Sequence, residues 1–147
     1  MPKPSYVLAA VLLLSACATT STPIVSAKPA PSDHLLAFQS ARGGNNNNVG
    51  TLVVTRDEGF LGSGCYHAVY INKVLAARLA AGEFARFYVE PGETLLRVGR
   101  DPYGRGLCGL DQDNWTQRET TLRRGEEKFF RLSIDQNGKP DILRSDI

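Results

Sequence analysis

Two histidines and three cysteines carry the widest chemical range in this chain of 147 residues. Cys65 and His67 stand two apart and share a face of any extended segment, so with Cys108 they offer three ligands to a metal. Structural zinc takes a full tetrahedral set, which makes zinc the weaker use of these residues. Asp111 and Asp113, or Asp135, Asn137 and Asp141, offer oxygens to calcium. Calcium takes roughly six to eight oxygens, and Gly138 comes too soon after Asp135 for an EF-hand loop, so no metal site is expected. The spacing Gly104-x-Gly106-x-x-Gly109 fits a dinucleotide fingerprint letter for letter, yet residues 110–115 have no helical period on which a pyrophosphate could rest. Those glycines read as positive-φ positions in a long loop. No Gly-x-Ser-x-Gly occurs, and His67, with Val69 and Ile71 on its face, reads as a structural histidine bonded to a neighbour. The chain is therefore expected to be non-catalytic and without a cofactor. The runner-up is an enzyme or metal-dependent protein centred on His67 and the loop of Asp111 and Asp113.

Composition bounds what must position these residues. With 42% apolar and 22% charged residues the chain can bury a core, which excludes a wholly disordered or polytopic membrane protein. Lysine and arginine number 17 against 15 aspartates and glutamates, a net charge of +2 that does not call for nucleic acid. Lys3 and the apolar run 7–14 read as a secretory signal, since a spanning helix needs about 20 apolar residues. The run ends in Leu14-Ser15-Ala16-Cys17, which resembles the lipobox of bacterial lipoproteins. That resemblance implies a signal peptide over residues 1–16, with Cys17 as the first mature residue, lipidated and held on a membrane. Ala18 follows in place of the aspartate that marks inner-membrane retention, which implies the outer membrane, facing the periplasm. With Cys17 given to lipid, Cys65 and Cys108 are an even pair in an oxidising compartment, and a disulfide is the favoured reading.

Alanine, serine, threonine and proline make up 12 of the 16 residues in 18–33, and Gly43-Gly44 and Asn45 to Asn48 follow. Residues 17–48 are expected to form a tether spanning on the order of 30 Å, with 34–38 either docked as an edge segment or loose. The folded domain is expected over 49–147. Alternation places Leu52 and Val54 on one face of a strand, and Ala85, Phe87 and Val89, and Phe130, Leu132 and Ile134, on faces of two more. Further strands are expected at 66–72, 94–100 and 118–122, with turns at Pro91-Gly92, Pro102, Gly125 and Asn137-Gly138. Residues 74–81 have helix-forming composition, but Gly82 ends the run early and a short strand is preferred. The whole reads as an all-β domain, a small antiparallel β-sandwich.

Gly59-Phe60-Leu61-Gly62-Ser63-Gly64, Val69-Tyr70-Ile71-Asn72, Gly82-Glu83-Phe84 and Val89-Glu90-Pro91-Gly92, in this order, resemble a domain-of-unknown-function family of bacterial lipoproteins similar to the PEGA domain. The resemblance implies a β-sandwich of PEGA-like or immunoglobulin-like kind and a lipoprotein of the envelope. The expected function is a small binding or structural module that meets an envelope protein, peptidoglycan or a polysaccharide. Tyr66, Tyr70, Tyr88 and Trp115 are the expected contact residues, because amphipathic aromatics suit interfaces.

Overall fold

The computed structural model describes residues 19–41 and 44–145, so the expected signal segment 1–16 and the expected lipidation at Cys17 fall outside the described residues. Among the described residues nine strands follow one another: β1 (Lys28–Pro29), β2 (Gly50–Arg56), β3 (His67–Ile71), β4 (Val74–Leu79), β5 (Glu83–Val89), β6 (Gly92–Arg100), β7 (Trp115–Leu122), β8 (Glu127–Ile134) and β9 (Pro140–Ser145). They form two sheets, β1-β5-β2-β8-β9 and β4-β3-β6-β7, stacked as a small β-sandwich. The segment whose composition favours a helix is strand β4, edge of the second sheet. Most pairings are antiparallel. β2 and β8 run parallel, from Thr51 opposite Glu127 to Arg56 opposite Leu132, and β8 is reached only after the chain has crossed to the second sheet twice, for β3 and β4 and again for β6 and β7.

Leu52 and Val54 of β2, Phe87 of β5, Leu132 of β8, Val69 and Ile71 of β3, and Leu96 and Val98 of β6 meet in one core. Burying each such side chain completely is worth about 1.5–3 kcal/mol. The β3–β4 turn places Asn72 and Lys73 at φ 49° and 70°, the double left-handed conformation of a type I′ hairpin. Asn72 Oδ1 accepts from the Leu95 amide at 2.9 Å and holds that turn to β6. In the expected hairpin at Asn137-Gly138, Asp135 Oδ1 accepts from the amides of Asn137 and Lys139 at 2.8 and 2.9 Å.

The tether needs correcting from Thr19 onward, and the domain boundary at 49 with it. Thr20 donates its amide to Glu58 at 2.6 Å, and the Thr22 amide reaches Asp57 Oδ1 at 3.1 Å. Ser21 to Val25 then line a groove with Thr55, Phe129 and Arg131 on the outer side of the first sheet. β1 pairs with the edge of β5, and the Leu36 and Ala37 amides donate to Ala76 on the edge of β4. Residues 28–37 thus close the open corner between the two sheets. Small residues and prolines build little core of their own, but they suit an edge held by backbone bonds, to which Ala30 in the core and Leu35 and Phe38 packed against it add apolar contact. The opposite corner is closed by side chains: Thr116 Oγ1 donates to Pro140 at 2.7 Å and Arg118 Nε to Ile142 at 3.0 Å.

Candidate binding face

Alternation along the second sheet sends Val69 and Ile71 inward and therefore Ala68 and Tyr70 outward. Register then aligns outward residues across strands: Ala68 lies between Arg78 and Gly99, Tyr70 faces Arg97, and Gly99 faces Trp115. Ala68 and Gly99 form a low floor in the middle of this face. A Cβ on Gly99 would lie 3.1 Å from that of Trp115, so the glycine is what lets the indole lie close.

Two cation–aromatic stacks stand around the floor. The Arg97 guanidinium lies 5.2 Å from the Tyr70 ring centroid and 4.3 Å from that of Trp115. The Arg78 guanidinium lies 5.1 Å from the Tyr66 ring and 5.2 Å from Tyr103, and the His34 ring meets Tyr66 edge-on at 4.5 Å. Such stacks are worth about 0.5–2 kcal/mol each, depending on how dry they are. The two arginines differ in their anions. Arg78 holds Asp101 by two bonds, Nε to Oδ1 at 2.8 Å and Nη2 to Oδ2 at 2.6 Å, and this bonding pushes its pKa up. Arg97 has a buried Nε without a partner, and no carboxylate among the described residues pairs with it. Burial holds the Tyr70 hydroxyl neutral by pushing its pKa up, with Arg97 acting against that shift.

Of the expected contact residues, Tyr66, Tyr70 and Trp115 belong to this face. Tyr88 does not: it lies on β5 of the other sheet, beside Phe38 and Val74. Sequence reasoning missed Arg78, Arg97, Tyr103 and Asp101. Strand register brings Arg78 and Arg97 to the aromatics, the turn after β6 brings Asp101 and Tyr103, and no spacing along the chain encodes either.

At the end of the sandwich where β2 finishes and β3 begins, the Cys65 and Cys108 sulfurs lie 2.01 Å apart, at disulfide distance, and join two loops. The first loop is also held from beneath. Arg56, fully buried, donates to the carbonyls of Cys65 and Leu79 at 2.6 Å and of Gly62 at 2.5 Å. Burial lowers its pKa to about 10. His67 packs under the same loop, with Gly62 close above its Cε1. Neither buried ring nitrogen of His67 makes a hydrogen bond of good geometry, and the neighbour that comes nearest to satisfying the ring is the Cys65 backbone, which favours its protonated form. Burial first, and then Arg56 and Arg100, depress its pKa to about 3, so the ring is neutral.

The structure does not bring His67 and the Asp111–Asp113 loop into one site. His67 is sealed inside, Asp111 and Asp113 are exposed on a loop, and no trio of metal-ligating side chains assembles among the described residues. In the other acidic group, Asp141 accepts from Arg118 at 3.0 and 3.3 Å while Asp135 is committed to its own turn.

No family model, curated protein or solved structure matches this chain. The functional reading therefore rests on the face itself and on the N-terminal residues.

Proposed function

We propose that the protein is a lipoprotein of the bacterial envelope, held on the outer membrane by lipid on Cys17, whose β-sandwich is a non-catalytic binding module facing the periplasm. The observation that carries the module reading is Arg97: a guanidinium stacked between Tyr70 and Trp115 and left without an anion on an open sheet face. An arginine oriented in this way has most of its side-chain freedom already spent and presents its donors to an incoming carboxylate or phosphate. Peptidoglycan, acidic polysaccharides and acidic protein segments all carry such groups. The lipobox-like Leu14-Ser15-Ala16-Cys17 and the PEGA-like order of motifs support the envelope location. His67 supports packing rather than chemistry, because a sealed neutral imidazole reaches no substrate.

Two measurements test the halves separately. Cys17→Ser is expected to leave the membrane fraction while its melting curve matches that of the parent, and a variant that still fractionates with membranes refutes the anchor. A photocrosslinking residue in place of Gln117, which sits opposite Arg97, is expected to trap a defined envelope component in cells. Arg97→Ala should abolish that adduct. An adduct indifferent to Arg97, or the same adduct from a crosslinker at Tyr88, refutes this face as the contact.

A further inference from the structure

We infer that the end of the sandwich bearing Phe60, Leu107 and Leu110 rests on the lipid bilayer in which Cys17 is anchored, so that the module lies against the membrane in one orientation. The inference rests on the lipoprotein reading of Cys17 and adds to it where the domain sits and which loops touch lipid.

The chain leaves the described residues at Thr19, and Thr19 is fixed in place. Its hydroxyl donates to the Ile134 carbonyl at 3.3 Å, its neighbour Thr20 bonds Glu58, and a Cβ on Gly59 would lie 2.8 Å from the Thr19 Cα. One residue, Ala18, separates Thr19 from Cys17, and two steps of extended chain cover at most about 7 Å. The acyl chains therefore enter the membrane close to Thr19, with no slack to hold the domain away.

Phe60 follows directly after Gly59 and is 83% exposed. The Cys65–Cys108 link brings the second loop to the same end, and on it Leu107 is 83% and Leu110 56% exposed. Single exposed apolar residues are ordinary, but here three large ones stand on two cross-linked loops beside the point where lipid must attach. Arg105, exposed on the second loop, is placed for phosphate headgroups, while Asp111 and Asp113 on that loop limit how deep it can sink. The polar hairpin Asp135 to Lys139 shares this end, beside Thr19, and bounds the apolar trio on one side. The turns of the opposite end, Asn72-Lys73, Glu90-Pro91 and Arg123-Arg124-Gly125-Glu126, carry no large apolar tip, with Val74 at the start of a strand beside them. Side chains at the interface sit about 5–10 Å into the headgroup and acyl boundary, a depth that three loop-tip residues can reach without moving the sheets.

The test uses the full lipidated chain in vesicles of phosphatidylethanolamine and phosphatidylglycerol with brominated acyl chains, which quench nearby indoles. In a Trp115→Phe background, single tryptophans are introduced as Phe60→Trp, Leu107→Trp and, at the far end, Arg124→Trp. These are exposed sites, and a melting curve of each variant verifies its fold. Emission from Phe60→Trp and Leu107→Trp is expected to fall roughly twofold at interfacial depth, while Arg124→Trp is unchanged. If intact mass shows acylated Cys17 and neither near-end probe is quenched, or all three are quenched alike, the docking is overturned and the lipoprotein reading stands. A mass without acyl chains on Cys17 overturns both.

Discussion

Mild acid should weaken the fold through one buried ring. His67 titrates at about 3 in the folded chain against an ordinary 6.5, because burial and the cations Arg56 and Arg100 oppose its protonation. Between these values the unfolded chain binds a proton that the folded chain refuses. The stabilisation is fully present above pH 6.5 and is lost as pH falls toward 3. At pH 5 the interval crossed is about 1.5 units, and at about 1.36 kcal/mol per unit the loss is about 2 kcal/mol, a large share of a small domain's stability. Urea unfolding at pH 7.5 and pH 5 measures it directly. Other groups titrate over the same range, so a His67→Leu variant is measured beside the parent. Leucine has a similar volume, and because the imidazole makes no hydrogen bond of good geometry beyond its approach to the Cys65 backbone, the exchange gives up little. The parent is expected to lose about 2 kcal/mol more than the variant over this interval. Equal losses would refute the reasoning, since they would mean that the ring is protonated in place or finds a partner.

Lys73→Gly should stabilise the domain by about 1 kcal/mol, read from the urea midpoint, because Lys73 adopts φ 70° in an exposed turn that costs a side chain and not a glycine. Asp57 is buried, paired to Arg131 by two bonds and bonded to the Thr22 amide. Asp57→Ala should cost about 3–5 kcal/mol, and hydrogen exchange should speed up at residues 20–25 before the core strands respond. Intact mass of the oxidised protein should rise by two hydrogens on reduction, with no alkylatable thiol at Cys65 or Cys108 beforehand. Cys108→Ser should lower stability by up to about 4 kcal/mol, the loop-closure term for the 43-residue separation.

The sandwich was legible because its strands carry their burial in period two. Leu52 and Val54, or Phe130, Leu132 and Ile134, announce an inward face without help from the rest of the chain. The strand at 74–79 was harder, since its alanines and leucines favour a helix when alone, and pairing with β3 decides the matter. What composition misread was the N-terminal segment. Thr20, Lys28 and Leu36 are held through backbone amides, a kind of order that leaves no hydrophobic signature. The candidate binding face was half legible. The aromatics Tyr66, Tyr70 and Trp115 stand out by type, whereas Arg78 and Arg97 become their partners only through a cross-strand register set by turns elsewhere.

The segment that composition misread also bears on why one face is available. By pairing along β5 and β4 and laying Ser21 to Val25 against Thr55 and Phe129, the chain spends its own N-terminus on one corner and on the outer side of the first sheet. The second sheet receives no such cover, and Trp115 remains 43% exposed on it. A free tether would have left both outer faces open and the domain free to turn. A docked one removes a competing surface and, with Thr19 pinned beside Gly59, would couple the proposed anchor to the strand direction. In the proposed orientation, with the Phe60 end on the bilayer, the strands of the second sheet would run away from the membrane and the Arg97 stack would look sideways. A partner would then meet it laterally, in the space beside the membrane. For that reason lengthening the chain between Cys17 and Thr19 with a flexible insert is expected to leave folding unchanged while it loosens any contact that depends on height above the lipid.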